Sequence, residues 1–517
     1  MHVPASGWRR LFARKSVEAL QREARTAGLK RSLGAVNLVF LGVGCILGAG
    51  IYVMPGNAAA SFAGPAVILS FVIAGTACAL TGLCYAELAS TMPVSGSAYN
   101  YCYAAIGEVF AWSLGWLILL EYGLAASLLA VGFSGYFASL LADFGLHVPA
   151  GLATPLVQAL PPSQGSGLFV TGGFNLIAAV AILVITGILM IGVSTSAAVN
   201  NFLVVVKVAV LVVFIALGVG AIEPANWTPF VPASEGGFAY GWAGVMRAAS
   251  ILFFAYIGFE TVSTAAAEAR NPQKDLPIGI LGSLLVCTVI YIVVAAVLTG
   301  IVPYRELGVP DPIALAADRL GHPQFAVLIK VGALMGLTSV LLVNAYGQSR
   351  VSFAMSRDGL LPPIFSRVHP RFRTPHLGTL LLGLIAAAGA AFLPLSLLGD
   401  LISLGAGLSF ATVSLSVMWL RTTRPDLARA FRVPFGGFHL GRVWIGYVPI
   451  AAMLFCAAMV LPVLIDIVLQ ALRGHTLPAI ILGTYALAGA LIYLTYGVRR
   501  SQVGATMSAA NAATARP

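Results

Sequence analysis

The feature that most constrains this chain is an apolar run that keeps returning, because a helix needs roughly 20 such residues to cross about 30 Å of hydrocarbon. Runs of that kind fall near residues 36–58, 66–91, 108–141, 173–192, 198–220 and 242–267. Six more follow near 276–301, 324–348, 377–394, 398–420, 444–471 and 478–498. The pattern predicts an all-α polytopic membrane protein with about 12 transmembrane helices. Composition closes off the alternatives. Only 9% of the 517 residues are charged, against about 25% in a soluble domain. The 29 Lys and Arg and 18 Asp and Glu cannot cover a soluble surface of this size. The same shortage of polar residues excludes disorder and repeat solenoids.

Orientation follows from where Lys and Arg lie. Eight precede the first run: Arg9, Arg10, Arg14, Lys15, Arg22, Arg25, Lys30 and Arg31. Others cluster after runs six (Arg270, Lys274), eight (Arg350 to Arg373), ten (Arg421 to Arg442) and twelve (Arg499, Arg500), whereas 142–172 has none. Both termini are therefore expected in the cytoplasm. The net charge of +11 reads as a topology signal with attraction to anionic lipid as a side effect, and no nucleic-acid partner is expected. Residues 1–35 contain no short apolar core before a cleavage site, so the first span is expected to direct insertion itself. The six cysteines lie in or beside apolar runs without a C-x-x-C pair, which reads as small apolar filler rather than metal ligation or disulfides.

Two spans look interrupted. The first reads Gly42-Val43-Gly44-Cys45-Ile46-Leu47-Gly48-Ala49-Gly50-Ile51-Tyr52, and each glycine weakens a helix by up to about 1 kcal/mol. Gly44 and Gly48 also form G-x-x-x-G, which serves close helix packing equally well. The sixth reads Phe253-Phe254-Ala255-Tyr256-Ile257-Gly258-Phe259-Glu260-Thr261. A carboxylate in the middle of an apolar run is costly and needs a partner. A break near Ile257-Gly258 would place Glu260 in the first turn of the following half-helix, where its charge suits the dipole. Spans one and six are matching members of two five-helix halves, 1–5 and 6–10, with inverted topology because five is odd. Interrupted helices at matched positions of inverted repeats point to a midplane site in a secondary transporter. Freed N–H groups can receive a carboxylate and freed carbonyls an ammonium, and an α-amino acid carries both.

The segments GVGCILGAGIYVMPG, CYAELASTMPVSGSAYNYCYAAIGEVFAW, GWLILLEYGLAAS, FFAYIGFETVSTAAAEARNPQKDLP, YGQSRVSFAMSRDGLLP and LRTTRPDLARAFRVP resemble the amino acid–polyamine–organocation superfamily. In particular they resemble bacterial members of its cationic amino acid transporter branch, from about residue 30 to 498. The resemblance implies a leucine-transporter-like 5+5 inverted-repeat core with helices 1 and 6 broken and two helices appended. The expected organisation is then a basic N-terminal segment (1–35), a first repeat (36–220), a second repeat (242–420), helices 11 and 12 (444–498) and a disordered tail (499–517). It further implies amino acid transport by alternating access in the bacterial inner membrane, as a monomer or weak oligomer. The expected substrate contacts are Ile46, Gly48, Ala49, Gly50, Ile51, Glu121, Phe254, Ala255, Ile257 and Gly258. Phe254 resembles the family's aromatic gate, and Glu260 is a second gating candidate.

Lys207 lies roughly 13 Å from the cytoplasmic end of span five. It either snorkels back to the interface or loads and releases a proton during transport. The resemblance places such a lysine where sodium sits in sodium-coupled relatives, in contact with span one and with span eight at Thr338 or Ser339. No sodium and no other cofactor is expected, and the proton is the coupling ion. Glu121 is either a helix–helix anchor or a carboxylate coupled to Lys207 or lying near the substrate. Snorkelling is the expected account of Lys330 and Arg247, and Arg350 and Arg357 are candidates to pair with Glu87 or Glu268. Ala49 and Ala255 give the site an apolar lining, which favours a small or medium neutral L-amino acid. A cationic substrate, an exchanger without proton coupling and a non-transporting sensor remain as alternatives. A membrane enzyme is not expected, because the chain has no H-E-x-x-H, G-x-S-x-G or P-loop.

Overall fold

A computed structural model describes residues 11–18, 32–93, 97–159, 168–192 and 197–503. The expectations for most of 1–35 and for 504–517 lie outside the described residues. Residues 499–503, expected to belong to a disordered tail, continue instead from a short terminal helix and pack: the Gln502 N–H donates to Asp358 O at 3.1 Å.

In chain order the helices are α1 (Ala35–Ile46), α2 (Ala49–Tyr52), α3 (Met54–Ala58), α4 (Val67–Thr91), α5 (Ser97–Ala105), α6 (Glu108–Asp143), α7 (Ala150–Ala153), α8 (Leu176–Ile191), α9 (Ala197–Gly218) and α10 (Gly241–Leu252). They continue as α11 (Thr261–Thr264), α12 (Pro272–Ile301), α13 (Pro312–Arg319), α14 (Pro323–Arg357), α15 (His376–Phe392), α16 (Leu395–Thr423), α17 (Tyr447–Leu472), α18 (Leu477–Ile492) and α19 (Val498–Arg500). Two antiparallel hairpins interrupt the helices: β1 (Val157–Ala159) with β2 (Leu168–Val170), and β3 (Gly437–Leu440) with β4 (Val443–Gly446).

Among the described residues, nine helical stretches are long and apolar enough to cross a membrane. Three shorter apolar helices, α1, α8 and α15, fall within other runs that hydropathy marks as spans. At 16 residues, α8 rises about 24 Å, just short of the hydrocarbon thickness. The chain is a polytopic, helical membrane protein.

Burial is uneven, and the unevenness positions the site. The 36-residue α6 packs against α14 and α16, while α12 packs on α4 and α1. The Gly241–Thr264 stretch lies mostly inside the protein, whereas α18 and its extension lie mostly outside. Small residues allow the inner helices to approach closely. A Cβ on Gly42 would sit 2.4 Å from Ser283 Oγ, and one on Gly279 2.7 Å from Leu38 Cβ. All six cysteines are buried and free, so they act as apolar filler.

Candidate functional site

The first span stops and restarts. Helix α1 ends at Ile46, Leu47 turns to ψ 86° and Gly48 to φ −144°, ψ −132°, and α2 begins at Ala49. In the sixth span α10 tightens into a 3₁₀ turn over Phe253–Tyr256, Ile257 extends to ψ 133° and α11 begins only at Thr261. Gly258 holds φ +124°, a conformation that side chains rarely adopt. The two breaks seat on each other. A Cβ on Gly258 would lie 2.7 Å from the Cys45 carbonyl carbon, and one on Gly50 2.5 Å from Ala255 Cα. Glycine at these positions is what allows backbone to touch backbone.

Breaking a helix frees polar backbone groups that must find partners away from water. The Tyr291 hydroxyl of α12 lies 2.8 Å from Ile46 O and 2.7 Å from Ala255 O, bridging the two breaks with one proton. Lys207 of α9 donates from Nζ to Gly44 O at 2.8 Å. That carbonyl belongs to the last turn of α1, the negative end of its dipole, which favours an ammonium. Glu260 folds back on the second break, its Oε2 accepting the Gly258 N–H at 2.8 Å and its Oε1 the Tyr122 hydroxyl at 3.3 Å. The Tyr136 hydroxyl donates to Tyr52 O at 2.6 Å. The N–H groups of Gly48, Ala49 and Gly50 have no acceptor among the described residues.

A narrow cavity opens beside those N–H groups. Ile46, Gly48, Ala49, Gly50, Phe254, Ala255 and Ile257 line it, as do Cys45, Leu129, Val340 and Asn344. Ile51, Gly258 and Glu121 do not reach its wall. Gly258 instead backs onto Cys45. Of the residues that sequence reasoning missed, Asn344 carried a signal, being an amide within the apolar course of α14. Leu129 and Val340 are indistinguishable from their neighbours by type.

The charges are distributed differently from the expectations. Lys207 is 1% exposed, so it does not snorkel. Its hydrogen-bond partner is on span one, while Thr338 and Ser339 bond their own helix, to Leu334 O at 2.7 Å and Gly336 O at 3.0 Å. Glu121 is buried with its Oε2 unbonded, and among the described residues no hydrogen bond or ion pair joins it to Lys207, whose Nζ is on Gly44 O. Arg247 and Lys330 do not snorkel either, because carboxylates from other helices reach them. Arg247 holds Asp400 of α16 at 2.8 and 2.7 Å and Asp466 of α17 at 2.9 Å. Lys330 holds Asp143 of α6 and Asp318 of α13, each at 2.8 Å. Glu87 pairs with Arg421 and Arg429, rather than with Arg350 or Arg357. Those two guanidiniums lie over Tyr346 and Phe353 of their own helix.

Comparison with known proteins is consistent along nearly the whole length. The amino acid permease family matches residues 33–490. The methylthioribose transporter of Bacillus subtilis (strain 168) is 46% identical over 425 residues, which cover 82% of this chain and 88% of that protein. The branched-chain amino acid permease BcaP of the same organism is 43% identical over 455 residues, 87% of this chain and 92% of that protein. The vacuolar cationic amino acid transporter 4 of Arabidopsis thaliana is 38% identical over 398 residues, covering 77% of this chain and 64% of that longer protein. These are transporters, not enzymes. On the extent of the match, this chain belongs to the amino acid permease family of the amino acid–polyamine–organocation superfamily.

Proposed function

We propose that this protein is a proton-coupled symporter of a small or medium neutral L-amino acid, working by alternating access. The observation that carries the reading is the Lys207 ammonium on Gly44 O, 2.8 Å away and sealed from water beside the first break. A fixed cation there does electrostatically what a bound metal cation would do, and it can give up its proton where sodium could only leave. The unpaired N–H groups of Gly48, Ala49 and Gly50 receive the substrate carboxylate. Phe254 covers the site from outside, with Glu260 holding the second break in shape. The helices form two inverted five-span repeats with two spans appended, twelve in all, and both termini face the cytoplasm of a bacterial inner membrane.

Neutral substrates suit the cavity because the side chains of its wall carry no charge and are apolar apart from Cys45 and Asn344, and because Glu121 does not line it. The relative named for branched-chain amino acids supports the same reading, while the relatives named for methylthioribose and for cationic amino acids keep two other classes in the test.

The test is uptake of radiolabelled alanine, leucine and arginine into proteoliposomes without sodium, with and without an inward proton gradient. Radiolabelled methylthioribose is run beside them. Gradient-driven accumulation of a neutral amino acid, abolished in Lys207→Ala, is the expected result. Accumulation of arginine alone, or of methylthioribose with no amino acid uptake, rejects the substrate class. Exchange against internal amino acid that survives in Lys207→Ala, with no accumulation, rejects the coupling.

A further inference from the structure

The short hairpin between α16 and α17 has two unlike faces. Its register sets Phe438 opposite Ile445 and Leu440 opposite Val443, with His439 opposite Trp444. Because side chains alternate along a strand and directly opposed residues share a face, Phe438, Leu440, Val443 and Ile445 form one apolar face. The other face docks on the protein at Trp444 and leaves His439 exposed. Trp444 is buried, its N–H accepted by Thr422 Oγ1 at 2.9 Å and its ring 4.2 Å from the Arg421 guanidinium. The apolar face is bare: Leu440 is 67% exposed, Phe438 45% and Val443 39%, and Phe435 just before the hairpin is 80% exposed. Gly441 at φ +62° closes the two-residue turn with Arg442 at its tip.

What covers this face is indicated by the helix that follows. Tyr447, Ile450, Leu454, Leu461, Ile465, Val468 and Leu472 are the exposed large apolar residues that share one stripe of α17, which turns toward lipid along a membrane span. The hairpin ends where that stripe begins, since Gly446 caps α17. Phe438 packs on Tyr447 with ring centroids 5.8 Å apart, so the apolar face of the hairpin prolongs the lipid-facing stripe. Arg442 is in the turn of the hairpin and Arg432 lies three residues before Phe435, both exposed and without a paired carboxylate among the described residues.

We infer that the Gly437–Gly446 hairpin is an interfacial anchor that seats Phe435, Phe438, Leu440 and Val443 in the bilayer surface and offers Arg432 and Arg442 to anionic phospholipid headgroups. Aromatic and aliphatic side chains at headgroup depth, rimmed by guanidinium groups, are what an anionic membrane surface attracts. Trp444 then links the bound lipid to Arg421 and, through it, to Glu87 of α4.

The six native cysteines are buried, so a nitroxide on Leu440→Cys, Val443→Cys or His439→Cys reports from one accessible thiol. The full chain is reconstituted in vesicles of phosphatidylcholine with or without one-third phosphatidylglycerol, symmetric so that sidedness does not matter. Labels at 440 and 443 are expected to relax several-fold more with dissolved oxygen than with a water-soluble nickel chelate, and the label at 439 the reverse. Phosphatidylglycerol should deepen the first two labels, and Arg432→Gln with Arg442→Gln should remove that increment. Nickel access at 440 and 443 equal to that at 439 overturns the anchor. Shielding from both reagents overturns it too, since a second copy would then be the cover. Depth indifferent to phosphatidylglycerol overturns the role of the arginines.

Discussion

At the scale of single residues, the site is held by groups that cannot be exchanged for near neighbours. Gly258 combines a positive φ with a backbone carbonyl carbon 2.7 Å from where a Cβ would go. Strain of about 1–3 kcal/mol plus a contact with backbone, which cannot swing aside, is expected to separate the two breaks. Gly258→Ala should therefore nearly abolish uptake while the helical circular dichroism stays intact, and wild-type uptake by that variant would contradict the packing. Tyr291 poses a subtler test. Tyr291→Phe keeps the ring in the core but strips the proton shared by Ile46 O and Ala255 O. Leaving a buried acceptor unsatisfied costs about 1–3 kcal/mol, so the thermal midpoint should fall and the apparent KM should rise more than kcat changes. An unchanged KM would mean that the bridge does not shape the cavity.

At the scale of elements, buried ion pairs join helices that hydropathy alone treats as interchangeable cylinders. Arg247 ties α10 to α16 and α17, and its guanidinium also lies 5.1 Å from the Phe62 ring, in the helical turn that follows α3. Removing one partner of a buried pair costs about 3–5 kcal/mol, chiefly because the other charge is left stranded. Arg247→Ala is expected to lower the thermal midpoint in detergent sharply, and adding Asp400→Ala should recover part of the loss. Additive losses in the double variant would show that the two side chains do not act as a pair. The same logic explains why Arg247 and Lys330 read as snorkelling cations in the sequence. Their carboxylates come from residues 143, 318, 400 and 466, and no local pattern links those positions to the arginine or lysine that they satisfy.

At the scale of the whole molecule, both ends of the described chain converge on one point. Asp358, at the end of α14, accepts from Lys15 at 2.6 Å and from the Tyr99 hydroxyl at 2.7 Å, and its own carbonyl takes the Gln502 N–H. The Lys15 pair is partly exposed, so it contributes on the order of 1 kcal/mol and weakens with ionic strength. Lys15→Asp is expected to lower the thermal midpoint slightly at low salt, and the exchanged pair Lys15→Asp with Asp358→Lys to recover it. No rescue by the exchange would place the effect of Lys15 elsewhere, for instance in its stacking on Tyr99 and Tyr103. The sequence by itself determined that the chain spans a membrane repeatedly and where spans one and six are weakest, because hydrocarbon thickness and glycine content act on contiguous residues. It also marked Lys207 and Glu260 as costly charges in need of partners. Only the tertiary structure decided which partners they have: Gly44 O for Lys207 and the Gly258 N–H for Glu260, whereas Glu121 keeps its Oε2 unbonded. The packing of helices likewise decided that Leu129, Val340 and Asn344 meet the two breaks. In an apolar chain many helix faces are chemically alike, so the contacts that distinguish them arise from shape and from single hydrogen bonds across long sequence separations, which no local pattern records.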